Sequence, residues 1–415
     1  MNTKLNLSIN SERLLNRIQQ LGKTGRGNDN KLSRVAASDA DKAGRDQLVT
    51  WIKEAGLEVE IDKIGNIFGI WYSTQNRNEA PILLGSHIDT VINAGIYDGC
   101  YGVIAGLEVI KTLQEAGFVP TRPIAVAAFT NEEGVRYAPD MMGSLVFAGG
   151  LSVDEALATV GIDGTILGEE LKRIGYAGTK EPGFLKPQSY IELHVEQGPI
   201  LDKVGTPIGA VEDLQGISWQ RVTIEGVANH AGTTPTDMRR DAGLAAARVI
   251  TYLRDRANAS NGKTVATVGT IEFKPNAVNV IPSLATFTVD LRNPNEKKLQ
   301  EEEQALANYL KELAALEKVS INSEQLVRFQ PVTFDENIVR LVEEVASEHG
   351  LQSRRMTSGA GQDAQMIARV CPSAMIFVPS VDGISHNPKE FTAEPDLVAG
   401  ANVLLDLVAK LTEAE

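Results

Sequence analysis

Three successive segments decide the fold: the apolar run and polar turn ILLGSHIDTV (82–91), the stretch VIAGLEVIKTLQE (103–115), and the apolar run IAVAAF (124–129). The middle segment repeats apolar residues at helical spacing, whereas the flanking runs are short and apolar, as buried strands are. Strands that alternate with helices and end in polar turns are typical of α/β proteins. The sequence therefore predicts a mostly parallel sheet flanked by helices on both faces.

The pattern changes near residue 218, where a second kind of domain begins. From there the sequence predicts, in order, a strand (218–226), a helix (about 240–257), two strands (264–273 and 284–292), a helix (296–315) and a strand (318–328). This β-α-β-β-α-β order is typical of a ferredoxin-like α+β unit. We therefore predict a catalytic, metal-binding α/β domain made of residues 1–212 and 331–415, with an α+β domain of residues 213–330 inserted into it.

The composition is that of a cytoplasmic globular enzyme. The 415 residues include 54 acidic and 40 basic side chains, which gives a formal net charge of −14, and they contain no lysine- or arginine-rich block. This charge argues against nucleic acid or an anionic membrane as a partner. Two cysteines are too few for a disulfide framework and fit a reducing compartment. No segment resembles a secretory signal or a membrane span, so we expect a cytoplasmic location.

Four of the five histidines lie in short clusters with carboxylates, where apolar runs end in turns. The clusters are GSHIDTV (85–91), IELHVEQGP (191–199), NHAGTTP (229–235) and GISHNPKE (383–390). Catalytic groups in α/β folds are concentrated at such strand ends. The distribution of histidine therefore indicates a metal hydrolase.

The first pair of candidate site residues follows the short predicted strand Ile82–Leu84, which ends at Gly85. His87 and Asp89 are two positions apart, so one can bind a metal while the other orients it. The alternative is a histidine and an aspartate that satisfy each other at a turn. Asp98, in YDGCYG (97–102), reads alone as a turn residue, but it precedes a helix in the same loop, where a carboxylate can bridge two cations.

Two adjacent glutamates follow the apolar strand that ends at Phe129. In an extended chain Glu132 and Glu133 point in opposite directions, so one can coordinate a metal while the other faces an attacking water. The alternative is solvated surface charge. His194 and His386 are each weak candidates when taken alone. Together, three histidines and two carboxylates suit Zn²⁺ or a similar ion such as Mn²⁺, Co²⁺ or Ni²⁺.

Five motifs taken together are specific to one family: HIDTV, YDG, NEEG, ELHVEQGP and SHNPKE. They resemble the dinuclear metal amidohydrolases of the N-carbamoyl-L-amino acid hydrolase, β-ureidopropionase and allantoate amidohydrolase branch, within the aminoacylase and zinc-peptidase clan. The resemblance covers nearly the whole chain. Peptidases of the clan generally place a carboxylate where this chain has His194, which favours the ureido-cleaving branch.

The resemblance implies two divalent metal ions per subunit, with zinc favoured. It assigns the metal ligands to His87, Asp98, Glu133, His194 and His386, with Asp98 as the bridge. Glu132 would be the general base, and Asp89 would belong to the catalytic set.

The resemblance also implies substrate contacts in the inserted domain. His230 of NHAG would stabilise the oxyanion, and further substrate contacts are expected from Gln197, Asn279, Arg292 and Gly359 of SGAGQDA. In the family His230, Asn279 and Arg292 come from the partner subunit, which implies a homodimer with the inserted domain as lid and dimerisation unit.

Read from the residues alone, Arg292 ends an apolar strand, where it can clamp a carboxylate. The alternative is a surface ion pair with Asp290 or Glu296.

The expected substrate is a small ureido compound with a carboxylate. We predict hydrolysis of the N-carbamoyl group of N-carbamoyl-L-amino acids or N-carbamoyl-β-alanine, which gives amino acid, ammonia and carbon dioxide. Allantoate amidohydrolase is the first alternative, although allantoate enzymes tend to carry an acidic residue where Asn131 stands. The second is a non-catalytic metal-binding protein of the same fold, which should have lost a ligand or the base.

Overall fold

The computed structural model describes residues 7–73 and 76–413. The chain divides into two compact units, one formed by the residues up to Glu212 and from Phe334 onward, the other by Asp213–Thr333. The second unit ends at Thr333 rather than at the predicted residue 330, because Val332 and Thr333 pair with the strand that enters the unit.

The strands and helices of the first unit are interrupted once along the chain, by those of the inserted unit. The strands are β1 (Glu58–Ile61), β2 (Ile67–Trp71), β3 (Ile82–His87), β4 (Ile124–Phe129), β5 (Ser189–Val195), β6 (Ile208–Leu214), β7 (Gly216–Glu225), β8 (Val265–Thr267), β9 (Ile271–Lys274), β10 (Leu284–Asn293), β11 (Ser320–Phe329), β12 (Val332–Thr333), β13 (Ser353–Ser358) and β14 (Ser373–Val378).

The helices that connect and cover these strands are of very different lengths. They are α1 (Ser11–Leu21), α2 (Asp39–Glu54), α3 (Cys100–Glu115), α4 (Met142–Phe147), α5 (Val153–Leu157), α6 (Leu167–Ile174), α7 (Ile200–Val204), α8 (Ala242–Ala259), α9 (Glu296–Glu317), α10 (Glu336–Glu348), α11 (Asp363–Ile367) and α12 (Glu394–Glu413). Among the helices of the described chain, none combines the length and the apolar character that crossing a bilayer requires.

The nine-stranded sheet, which belongs to the first unit except for residues 213–214 of β6 and for β12, has a parallel centre and antiparallel edges. Its strand order is β1-β2-β4-β3-β5-β14-β6-β12, and β13 pairs with β6. The neighbours β4, β3, β5 and β14 run parallel, whereas β2 joins β4, and β6 joins β14, in the antiparallel sense. The predicted α/β fold is confirmed. The antiparallel strands lie at the edges, so the four carboxyl ends at the centre meet on one side of the sheet.

Helices cover both faces of this sheet, as predicted. Adjacent residues of a strand point to opposite faces. On β5 the Glu192 carboxylate accepts a hydrogen bond from the backbone N–H of Ala364, in α11, at 2.7 Å. The next side chain, Leu193, lies against Gly400 of α12. Therefore α11 and α12 lie on opposite faces.

Helix α3 packs unusually close to the sheet because two of its residues have no side chain. A Cβ atom on Gly102 would overlap the backbone oxygen of Leu193, whereas one on Gly106 would lie 3.1 Å from a methyl group of Val126. The helix begins directly after Asp98 and Gly99. Its close contact with the sheet therefore sets where the preceding turn lies.

The second unit is the predicted ferredoxin-like domain, with one difference in its sheet. Its strand order is β11-β7-β10-β8, with β9 also on β10, and every pair is antiparallel. The predicted single strand over 264–273 is wrong, because it is divided into β8 and β9. Between the pairs Asp290↔Thr267 and Phe287↔Ile271, the strand around Gly269 contains one residue more than β10. Such an extra residue is a β-bulge.

The two glycines of α3 give a matched test of its close packing. We expect Gly102→Ala to lower the free energy of unfolding by about 1–3 kcal/mol, because the added methyl group meets rigid backbone. Gly106→Ala meets side chains that can shift, and alanine gains about 0.5–1 kcal/mol of helix propensity, so its net effect should be close to zero. Chemical denaturation of both variants measures the difference. Equal stabilities would show that α3 can move away from the sheet.

Candidate metal centre

The predicted metal ligands come from the ends of four neighbouring parallel strands. His87 is the last residue of β3, Glu132 and Glu133 follow β4, and His386 follows β14. His194 lies within β5, one residue before the strand ends at Val195. Because parallel strands place their carboxyl ends together, these side chains meet at one edge of the sheet.

Asp98 lies between two groups of side chains and contacts each with a different oxygen. Its Oδ1 is 3.5 Å from His87 Nε2 and 3.3 Å from His194 Nε2. Its Oδ2 is 3.3 Å from His386 Nε2, which is itself 3.3 Å from Glu133 Oε2. Each group therefore offers three potential metal ligands, and Asp98 belongs to both.

The histidine tautomers fit a cation at this place. His87 Nδ1 lies 3.0 Å from the backbone oxygen of Asp89, and His194 Nδ1 lies 2.8 Å from that of Val195. A carbonyl oxygen only accepts hydrogen bonds, so in the neutral rings Nδ1 carries the hydrogen and Nε2 presents a lone pair. Within the described residues His87 Nε2 is buried and has no hydrogen-bond partner. In the neutral ring this nitrogen and Asp98 Oδ1 face each other as two lone-pair atoms, an arrangement that a bound cation would stabilise.

The distances are also those of a metal site. Separations of 3.3–3.5 Å between Asp98 and the three histidines exceed the usual 2.7–3.2 Å of an N–H···O hydrogen bond. Ligands held about 2.0–2.1 Å from a tetrahedral zinc ion lie about 3.3–3.4 Å from one another. The side chains present therefore fit divalent metal binding.

Asp89 contacts His87 through its backbone and not through its carboxylate. It orients His87 through its backbone oxygen, while its carboxylate Oδ1 is 4.0 Å from His87 Nδ1, too far for a hydrogen bond. The carboxylate instead accepts the backbone N–H groups of Glu132 and Glu133, each at 3.2 Å. The loop after β4 turns toward β3, which carries these amides to Asp89. Asp89 thus positions both glutamates.

The carboxylates of the centre are buried close together, and their pKa values reflect it. Burial raises the pKa of Glu132 well above its usual range, and burial together with the Asp98 carboxylate raises the pKa of Glu133 to about 8. For Asp98, burial acts in the same direction, but the facing rings of His194, His386 and His87 outweigh it and hold the pKa well below the usual range. Asp98 is therefore the group that carries the negative charge.

Glu132 lies beside the two ligand groups without belonging to either. Its Oε2 is 3.4 Å from His87 Nε2, and the residues of the two groups are His87, Asp98 and His194, and Asp98, Glu133 and His386. A carboxylate next to a metal site that is not needed as a ligand can exchange a proton with water.

Gln197 contacts the centre directly, and a residue without a predicted role holds it there. Gln197 Nε2 donates to Asp98 Oδ2 at 2.8 Å, and its Oε1 accepts from Gln362 Nε2 at 2.6 Å. Gln362 therefore fixes which end of the Gln197 amide faces Asp98. Gly359 lies in the turn after β13, where a side-chain carbon would meet nothing within 4 Å. The helix that follows this turn, α11, is only five residues long.

In the second unit, the NHAGTTP stretch folds around its own histidine. His230 Nδ1 accepts the backbone N–H groups of Gly232 at 2.9 Å and Thr233 at 3.1 Å. The neutral ring therefore carries its hydrogen on Nε2 and presents a donor to the exterior. Asn279 lies beside this stretch, since the backbone N–H of Ala231 donates to the backbone oxygen of Asn279 at 3.0 Å.

The ion pair that the sequence left open for Arg292 is present. Arg292 Nη2 lies 2.9 Å from Asp290 Oδ2, and both side chains leave the same face of β10. Any carboxylate that Arg292 binds must compete with Asp290.

Two contributors to the centre had no role in the sequence analysis. Gly99 has φ +62°, and a Cβ there would overlap the His87 ring. Glu390 accepts the backbone N–H groups of Tyr97 and Asp98. Their positions in the sequence could have indicated such roles, because Gly99 directly follows the predicted bridging residue and Glu390 ends the SHNPKE motif.

Most of the chain matches a known family of hydrolases. Residues 83–410 match the model of the peptidase family M20/M25/M40. The chain belongs to this family. The expectation of a hydrolase that acts on amide C–N bonds is thereby confirmed.

Relatives within the M20/M25/M40 family resemble the chain over nearly its full length. An N-carbamoyl-L-amino-acid amidohydrolase of Rhizobium meliloti is 38% identical, with 98% of each chain covered. An allantoate amidohydrolase of Bacillus subtilis is 34% identical over 95% of this chain and 96% of the relative. A crystal structure of a hydantoinase/carbamoylase family amidase from Burkholderia multivorans has a TM-score of 0.93 and 41% identity, covering 97% of this chain and 98% of that one. The predicted family resemblance is confirmed.

Metal binding should release protons. In the metal-free protein the neighbouring Asp98 carboxylate raises the pKa of His386 to about 9, so the ring is protonated near neutral pH. A metal ion that takes His386 Nε2 must displace this proton, so affinity should fall as the pH is lowered from about 9.

Calorimetric titration of Zn²⁺ into metal-free protein, in buffers of different ionisation enthalpy, counts the protons released. The His386→Gln variant should release fewer. An affinity that does not change with pH would contradict the role of His386 as a ligand.

Proposed function

We propose that this hydrolase removes the N-carbamoyl group of N-carbamoyl-L-amino acids or N-carbamoyl-β-alanine, giving amino acid, ammonia and carbon dioxide. The observation that carries the proposal is the pair of ligand groups that share Asp98, with the Glu132 carboxylate beside them. The full-length similarity to an N-carbamoyl-L-amino-acid amidohydrolase supports the substrate class.

We assign two divalent ions to each subunit, with zinc favoured. His87, Asp98 and His194 would hold one ion, and Asp98, Glu133 and His386 the other. Imidazole and carboxylate ligands suit Zn²⁺, and also Mn²⁺, Co²⁺ or Ni²⁺. When bound, such ions polarise the substrate carbonyl and lower the pKa of a water, to about 7 in well-studied zinc sites.

Glu132 would move the protons of the reaction. It accepts a proton as water attacks the ureido carbon, and it then donates that proton to the departing amino-acid nitrogen. The bond between this nitrogen and the carbonyl carbon breaks, which releases the amino acid and carbamate, and carbamate decomposes to ammonia and carbon dioxide. His230 would donate its Nε2 hydrogen to the oxyanion, a contact worth about 2.7–4 kcal/mol in comparable enzymes.

The substrate carboxylate would be bound by residues of the inserted domain. Arg292 can bind it through two parallel hydrogen bonds by leaving Asp290, and Asn279, Gln197 and Gly359 would contact the remaining polar groups. We propose that His230, Asn279 and Arg292 act in the site of the partner subunit of a homodimer, with residues 213–330 as lid and dimerisation domain.

Allantoate is the second candidate substrate, and one contact argues against it. Asn131 precedes the base and donates from its Nδ2 to the backbone oxygens of Tyr137 at 2.8 Å and Pro139 at 3.1 Å. A carboxylate at this position, which the resemblance associates with allantoate enzymes, cannot donate these bonds. The loop that carries Glu132 is therefore built on an amide, as in the carbamoylase branch.

Substitutions of the two adjacent glutamates should distinguish a role in catalysis from a role in metal binding. We expect Glu132→Gln to retain metal and to lose turnover by about 10²–10⁴-fold, because the variant cannot accept a proton. Glu133→Gln should lose metal as well. Chelator competition measures the metal and ammonia release measures turnover; a Glu132→Gln variant with nearly full activity would exclude the proposed base.

A substrate panel tests the function itself. We expect metal-loaded protein to release ammonia from N-carbamoyl-L-amino acids or N-carbamoyl-β-alanine, and a chelator to abolish the release. Turnover of allantoate alone would reverse the choice of substrate. Inactivity on all three, with metal bound, would redirect the search to acylated amino acids and dipeptides.

A further inference from the structure

We infer that Glu390 is a positioning residue that joins the two loops carrying Asp98 and His386, and that metal binding depends on it. Glu390 lies four positions after His386, and its side chain contacts the loop that precedes α3. There its Oε2 accepts the backbone N–H groups of Tyr97 at 2.9 Å and of Asp98 at 3.3 Å. Asp98, which belongs to both ligand groups, is thus held in place through its own backbone N–H.

The other carboxylate oxygen secures the loop that carries His386. Ser385 Oγ lies 3.1 Å from Glu390 Oε1 and 3.0 Å from Asp98 Oδ2, within hydrogen-bond distance of both. A short turn brings Glu390 to this position, since its backbone N–H donates to the backbone oxygen of Asn387 at 3.0 Å. One buried carboxylate therefore connects both loops.

The position of His386 requires such support. Its backbone has φ +52°, in the left-handed region that residues other than glycine rarely adopt, and half of its side chain is exposed. Conformations of this kind persist only where the surroundings hold them. Glu390, by contrast, is 6% exposed, so its side chain is fixed by packing.

The chain at Gly95, on the other side of the Glu390 side chain, leaves space for this carboxylate. A Cβ atom on Gly95 would overlap Oε2, Cδ and Cβ of Glu390, although the backbone of Gly95 is not in the left-handed region. Glycine is therefore needed at 95 for space and not for its conformation. This gives a second, independent way to displace Glu390.

The inference rests on the metal sites proposed above, and its test uses metal affinity rather than turnover. Residues that orient metal ligands typically change metal affinity by about 10–100-fold when removed. We expect Glu390→Ala to weaken Zn²⁺ binding by about this factor, measured by competition with a chromogenic chelator. Gly95→Ala should weaken binding in the same direction.

Glu390→Gln should restore binding close to that of the parent protein. Its amide oxygen can accept the two backbone N–H groups, and its NH₂ can donate to Ser385 Oγ. The visible spectrum of the Co²⁺-loaded protein reports ligand geometry, and we expect it to change in Glu390→Ala and to be preserved in Glu390→Gln.

Asp335→Ala is the matched control. Asp335 also accepts two backbone N–H groups, those of Asn337 at 3.0 Å and Ile338 at 3.1 Å, at the start of α10, which carries no proposed ligand. Its loss should lower the melting temperature of the metal-free protein and leave Zn²⁺ affinity unchanged.

Two outcomes would overturn the inference. In the first, the Glu390→Ala variant binds Zn²⁺ as tightly as the parent protein does. In the second, Zn²⁺ binding by Glu390→Gln is weakened as much as that by Glu390→Ala. A parent protein that binds no divalent metal would instead refute the proposed metal sites.

Discussion

The structure of this centre depends on the burial of three carboxyl groups in a small volume. Asp98, Glu132 and Glu133 lie at one edge of the sheet with little access to water, and Asp98 is surrounded by histidine rings. Charged groups taken out of water are costly unless opposite charge and hydrogen bonds compensate. The surrounding protein must therefore hold the three carboxyl groups close together, and a divalent cation bound by Asp98 and its neighbours would offset much of the cost of ionising them.

Backbone groups supply much of this positioning. The rings of His87 and His194 are oriented by carbonyl oxygens of Asp89 and Val195, and Glu132 and Glu133 are placed through their own N–H groups. Backbone atoms next to buried strands move little, because the sheet hydrogen bonds hold them. The ligand side chains consequently have few alternative orientations, which is the preorganisation that a metal site requires.

Several residues beside the centre have strained backbone conformations. Asn131, Gln197 and His386 have positive φ values of 57°, 58° and 52°. Each is itself a proposed site residue or precedes one. In each case a polar contact holds the chain: Asn131 donates to two carbonyls, the backbone N–H of Gln197 donates to Ser380 Oγ, and the His386 turn is joined to Glu390 through Ser385. Strain of this kind is characteristic of functional sites held by their surroundings.

The sequence by itself determined the order of strands and helices, the α/β sheet and the inserted unit. Hydrophobic periodicity is local, so it can be read without knowing which segments meet. The sequence also placed the predicted ligands at strand ends, and parallel strands then bring those ends together. Only the tertiary structure decided which group each polar side chain contacts. Asp89 holds two amides rather than a ring, Arg292 pairs with Asp290, Glu390 joins two loops, and a bulge divides the strand predicted over 264–273. These contacts depend on loops with no periodic pattern and on partners as distant as Asp98 and Glu390, whose approach is fixed only when the sheet has formed.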